Sequence, residues 1–146
     1  MMPDLQQAAA VPYQRGRGGL EVCLITTISS GKWSIPKGFI DPGDSPRETA
    51  GREAEEEAGV HGRVVGDPVG YYDIAKYGGT YTVAVYLLEV EQVDDEWNEQ
   101  AVRQRQWTSP EVAARLLDGR RVSPVFDQAV ALLGRGMKPS EQEKTT

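Results

Sequence analysis

The sequence predicts an α/β layered domain built on a mixed sheet. Three observations carry that prediction. Strand-like runs come first, one long helix follows, and further strands precede two more helices. Residues 80–90 alternate and are rich in Val, Tyr and Leu, the pattern of a half-buried strand. Residues 45–59 carry both the start and the stop signal of a helix. A chain of 146 residues suits one such domain with a real core.

In chain order, residues 1–10 read as a frayed leader, and residues 11–135 as the single domain. Residues 11–15 and 20–28 read as strands separated by the glycine-rich turn 16–19, and residues 33–35 as a short strand. The long helix starts with a capping box: Ser45 is the N-cap, Pro46 the first helical residue, and Glu48 lies three positions on. Gly59 is its stop, in the left-handed position after the last turn. Ala50, Ala54 and Ala58 recur every four residues, a small-residue stripe that lets the helix lie close to a sheet. Residues 63–69 and 70–76 are extended candidates, with a turn at 77–79 before the strand 80–90, and 103–108 is a further strand. Ser109 caps a second helix to about residue 117, and Ser123-Pro124 opens a third that Gly134 ends. Residues 136–146 are polar and read as a mobile tail.

Composition excludes several classes. A net charge of −6 argues against general nucleic-acid binding, though not against a phosphorylated small molecule met by local basic residues. No apolar run approaches a membrane span and no signal-peptide pattern opens the chain. The single Cys23 permits no internal disulfide and lies in an apolar run, as a buried core residue does. These features favour the cytoplasm, with the chain as monomer or homodimer. His61, the only histidine, reads as a surface loop residue, and no Cys and His set for zinc exists.

The chemistry is concentrated in residues 38–60. Glu53, Glu55, Glu56 and Glu57 crowd the last turns of the predicted helix, near its negative end. That placement is unfavourable for a helix alone and becomes sensible when a divalent cation sits against it. Glu53, Glu56 and Glu57 follow i, i+3, i+4 spacing and share one face, whereas Glu55 points elsewhere into solvent. Arg52 flanks the acidic arc and can hold a carboxylate by a two-pronged hydrogen bond. An ordinary solvated acidic face is the plain alternative. A capping box, a packing stripe and a preceding Gly-rich turn in one segment weigh against it.

This segment resembles the Nudix box, G-x5-E-x7-R-E-U-x-E-E-x-G-U. Gly38, Arg52, Glu53, Ala54, Glu56, Glu57, Gly59 and Val60 match at the family's spacing. Asp44 departs from it, standing where the family usually has Glu. The resemblance implies an α/β/α sandwich with a central mixed sheet and a phosphoanhydride hydrolase that uses Mg2+ or Mn2+. On that reading Glu53, Glu57 and the Gly38 carbonyl are metal ligands. Glu56 is the general base or a further metal ligand, Arg52 orients the acidic cluster, and Lys37 meets a phosphate.

Beyond the box, residues 33–38, Gly70-Tyr71-Tyr72, residues 81–86, Trp97 and residues 103–107 are similar to the diphosphoinositol and diadenosine polyphosphate hydrolase branch. Arg103 and Arg105, two apart on one predicted strand, face one side and can clamp a phosphate chain. The branch resemblance adds Lys76 and Arg121, and Trp97 and Trp107 are left to packing. Scattered arginines in an acidic chain tilt the substrate towards a nucleotide polyphosphate. Three rivals stand beside this reading: an ADP-ribose or nucleoside triphosphate pyrophosphatase, a non-catalytic nucleotide sensor, and an interaction protein whose acidic helix is merely solvated.

Overall fold

A computed structural model describes residues 5–135 of the chain; the expected tail at 136–146 lies outside the described residues. Seven strands form one mixed sheet. They are β1 (Leu5–Gly16), β2 (Gly19–Thr26), β3 (Trp33–Ser34), β4 (Lys37–Phe39), β5 (Val60–Lys76), β6 (Gly79–Val93) and β7 (Arg105–Thr108). The order β3-β2-β1-β6-β5 runs across the sheet, with β4 paired to β1 and β7 paired to β2. Only β1 and β6 pair in parallel; the other pairs are antiparallel. Helices α1 (Pro46–Ala58), α2 (Pro110–Leu116) and α3 (Ser123–Gly134) complete the chain.

Successive residues of β1 enter opposite cores, because side chains alternate across a strand. Ala9, Val11 and Tyr13 pack with Phe126, Ala129 and Leu133 of α3, whereas Ala8 and Ala10 pack with Ala50, Ala54 and Ala58 of α1. The sheet is therefore covered on both faces, α1 on one side and α2 with α3 on the other. The alanine stripe on α1 meets alanines below it, and all five of these side chains are fully buried.

This arrangement corrects the expectation of a frayed leader for residues 5–10; residues 1–4 lie outside the described residues. Residues 5–10 belong to β1, the central strand of the order β3-β2-β1-β6-β5. Gln and Ala favour strands poorly, but this strand is specified by what lies above and below it. The extended candidates at 63–69 and 70–76 are one strand with a register break between Val65 and Gly70. Pro68 cannot donate to the ladder there, and Gly66 turns at φ 71°. Arg47 closes the irregularity by donating to the carbonyls of Val64, at 2.8 Å, and Gly66.

Both predicted helix signals at α1 are present. The Ser45 hydroxyl accepts from Glu48 N–H, the Glu48 carboxylate accepts from Ser45 N–H, and Gly59 stands at φ 65°. Ser109 caps α2 as expected. Helix α3 begins at Ser123 but has no side-chain cap. Cys23 is buried as expected, and burial pushes its thiol up to about 12, which leaves it inert.

Candidate active site

The site is assembled where the last turns of α1 lie against β4. Gly38 is essential to the approach. A Cβ there would stand 2.3 Å from the Glu53 carboxyl carbon, so only glycine lets that carboxylate settle on the strand. One residue earlier, Lys37 N–H donates to Glu57 Oε1 at 3.0 Å. The two carboxyls are thus pinned to the same short strand.

The C-terminus of α1 is closed by groups from distant sequence. Trp97 Nε1 donates to the Glu57 carbonyl at 2.9 Å, Glu99 N–H to the Glu56 carbonyl at 3.1 Å, and Arg105 to the Ala58 carbonyl at 2.9 Å. These are the carbonyls a helix leaves unpaired at its end. Trp97 also packs so tightly on Gly59 that a Cβ there would meet its ring at 2.7–3.0 Å.

Arg105 is thereby removed from the phosphate-facing set. The strand begins at residue 105, so the two-residue alternation does not extend back to Arg103. The Arg105 guanidinium also donates to the Asp94 carbonyl at 2.8 Å and stacks 4.0 Å from the Trp97 ring. Arg105→Ala should cost about 2 kcal/mol of stability, from lost carbonyl bonds and stacking. Urea unfolding would measure it, and the Michaelis constant should stay within a factor of two.

The three glutamates differ in environment. Glu57 and Glu53 are nearly covered, with 8% and 13% of their side chains exposed, whereas Glu56 retains 38%. Burial pushes Glu57 up to about 8, against the opposing pull of the Arg103 cation and of the Lys37 N–H. Burial also raises Glu53, which accepts a hydrogen bond from Glu57. Two adjoining buried carboxyls disfavour joint ionisation unless a cation lies against them, and a hard divalent ion binds such carboxylates.

Among the described residues, no three His, Cys, Asp or Glu side chains form a ready-made metal cage. The donor set nevertheless fits a hard divalent ion: two adjoining carboxyls, raised by burial, lie over a glycine cradle that admits nothing larger. Magnesium is commonly held by one or two carboxylates, with water and substrate phosphate filling the remaining positions.

Arg52 sits among carboxylates as expected, but its short bond is to Asp44, at 2.6 Å. Asp41, Glu53 and Glu56 lie at 3.6, 3.7 and 3.9 Å. Asp44, although shorter than the family's usual Glu, therefore still reaches the arginine. Glu55 is exposed, as expected, and is paired as well. His61 lies in β5, not in a loop, and its ring nitrogens face Glu55 at 3.2 Å and Asp94 at 2.5 Å. Those carboxylates raise the imidazole above its ordinary value, the Asp94 hydrogen bond most of all.

A cavity of about 600 Å³ opens beside Glu57, lined among others by Lys37, Lys76, Arg103, Arg120, Ile28 and Tyr77. A second, of about 440 Å³, shares Lys37 and Arg120 with it and adds Lys32 and Arg121. The structure thus brings Lys37, Lys76, Arg103 and Arg121 to one groove. Lys76 stacks on Phe39 and Tyr77, while Arg121 is exposed and makes one long bond to the Asp73 carbonyl. Arg103 is held by Glu57 at 3.2 Å, Glu99 at 2.7 Å and the Thr26 carbonyl at 2.9 Å.

Sequence reasoning missed Arg120 and Lys32. The doublet Arg120-Arg121 was the available signal, but it lies in an irregular turn where no periodicity ranks the two. Among the described residues, no helix is long and apolar enough to cross a membrane.

Comparison with known proteins agrees with this geometry. The NUDIX domain profile matches residues 4–128. Diphosphoinositol polyphosphate phosphohydrolase 2 of Rattus norvegicus is 28% identical over 128 residues, covering 86% of this chain and 69% of that protein. Nudix hydrolase 17, mitochondrial, of Arabidopsis thaliana is 33% identical over 129 residues, covering 86% and 70%. The crystal structure of the C. elegans Ap4A hydrolase superposes with a TM-score of 0.71 at 23% identity, over 88% of this chain and 98% of that one, a likeness of fold. With the box residues gathered at the end of α1, and with the domain match spanning most of the chain, the protein belongs to the Nudix hydrolase family.

Proposed function

We propose that this hydrolase cleaves a phosphoanhydride bond in a densely phosphorylated small molecule, with diphosphoinositol polyphosphates as the first substrate class. The density of cations in the groove carries the reading. Lys32, Lys37, Lys76, Arg103, Arg120 and Arg121 line the two joined cavities, and Glu57 is the one carboxylate among the lining residues. Folding concentrates cations that look scattered along the chain, so the sequence-based tilt towards nucleotides loses its basis. Relatives named as diphosphoinositol polyphosphate phosphohydrolases support this choice. Dinucleoside polyphosphates are the second reading, favoured by the exposed apolar rim of Ile28 and Tyr77, against which a nucleobase can lie.

Glu53, Glu57 and the Gly38 carbonyl are the groups proposed to hold Mg2+ or Mn2+, which supplies charge neutralisation at the phosphate oxygens. The remaining work falls to the chain. Glu56, the most exposed of the three glutamates, is the proposed acceptor of the attacking water's proton. Arg52 holds the acidic loop and helix together through Asp44. Lys37, Lys76 and Arg103 neutralise and orient the phosphates. A panel of phosphorylated compounds, with mass detection of fragments, tests the proposal. Fastest turnover on a diphosphoinositol polyphosphate is expected; faster turnover on ADP-ribose or a nucleoside triphosphate would sink it.

A further inference from the structure

We propose that Arg120 recognises a phosphate group standing beside the bond that is broken, and thereby selects among substrates. The inference rests on the hydrolase reading above and adds to it a specificity-determining residue. Arg120 is the arginine that lines both cavities. Its Nη1 atom is buried and has no hydrogen-bond partner among the described residues.

A buried guanidinium nitrogen without an acceptor is costly, and folded chains rarely keep one without a reason. Its setting supplies that reason. Lys37 lines the same two cavities, and Lys32, Lys76, Arg103 and Arg121 line one or the other of them. Cations that repel one another around a shared space call for an anion in it. The planar fork of arginine matches two oxygens of a phosphate at once, which a lysine cannot do.

The backbone presents Arg120 firmly. Its N–H donates to the Leu117 carbonyl and its carbonyl accepts from Ser123 N–H, both at 3.0 Å. Gly119, at φ 80°, makes the reversal that aims the turn between α2 and α3 at the groove. A side chain carried on a pinned turn can discriminate, because it does not follow a misplaced ligand.

A buried arginine with a structural role would be paired, and its loss would destabilise the protein. A recognition residue without a partner should behave in the opposite way. Calorimetric titration of the full chain with inorganic tripolyphosphate, in chelator to prevent turnover, separates the two. Arg120→Met should weaken binding by about tenfold or more, the range for a hydrogen bond to a charged group. The melting temperature of the ligand-free variant should equal or exceed that of the wild type. Arg120→Lys, which keeps the charge and loses the fork, should bind at an intermediate affinity and remains informative should the Met variant fold poorly.

In turnover, Arg120→Met should raise KM and leave kcat within about threefold, as expected when binding common to the ground and transition states is lost. Unchanged tripolyphosphate affinity in either variant overturns the proposal, as does a wild type that binds none. Should the wild type hydrolyse nothing in the panel, the hydrolase reading fails while the titration still decides the role of Arg120.

Discussion

Glu57→Gln should lower kcat/KM by about 10²- to 10³-fold, the range found when one fixed electrostatic contribution to a transition state is removed. The carboxylate is nearly covered, and each of its oxygens has an assigned partner: the Lys37 N–H on one side and the Arg103 guanidinium on the other. Glutamine can still accept from Lys37, so β4 and α1 should remain docked. It then turns its NH2 towards Arg103 and gives up the charge that a divalent cation requires. Glu55→Gln is the matching control. That residue lies on the same helix but pairs with His61, and its variant should retain activity within about twofold, as surface changes away from a site commonly do. Steady-state kinetics at saturating Mg2+, with circular dichroism to confirm folding, would decide. Near-normal turnover of the Glu57 variant would remove that residue from the metal set.

The parts of the molecule legible in the sequence were those specified locally. Helix α1 carries its own start, stop and packing face within residues 45–59, and each signal acts over one or two turns. The turn at Tyr77-Gly78 is equally local, with φ 51° and 76°, the positive pair a tight hairpin wants. The first half of strand β1, residues 5–10, was not legible, because Gln6, Gln7 and three alanines state no strand preference. They are set by distant partners: Ala8 and Ala10 by the alanine face of α1, and Gln6 by a bond from Thr82 N–H. The alanine stripe of α1 signalled a close approach to a sheet, and Ala8 and Ala10 lie on the strand it approaches. In the site, the box residues were legible because the helix repeat fixes which of them share a face. Arg105 was misplaced because the alternation was carried two residues beyond the strand that supports it. Arg120 was missed because a turn has no repeat, so only its buried, unpartnered nitrogen in three dimensions distinguishes it from Arg121.

Without divalent cations, the stability of this protein should fall as pH rises from about 5 to about 8, by an amount on the order of a few kcal/mol. The sign follows from proton binding. Burial raises Glu57 from its ordinary 4.5 to about 8, so within that window the folded chain holds a proton that the unfolded chain has released. Stability then decreases with pH, because the unfolded state binds fewer protons. Glu53 is raised in the same direction. His61, raised by its carboxylate partners, acts likewise: its contribution is complete at low pH and is lost as the ring deprotonates. Asp94, lowered chiefly by the His61 bond, loses its contribution only in more acidic solution and does not enter the window. Urea midpoints in chelator at pH 5, 6.5 and 8 would measure the slope. Glu57→Gln should flatten most of it and leave the smaller His61 part, and Glu53→Gln should raise metal-free stability slightly by relieving repulsion. Saturating Mg2+ should restore stability at pH 8 more than at pH 5, since a cation that needs ionised carboxylates competes with protons for them. A flat or rising profile in chelator would mean that the two carboxyls are ionised without a cation. The argument that this acidic corner awaits one would then lose its physical basis.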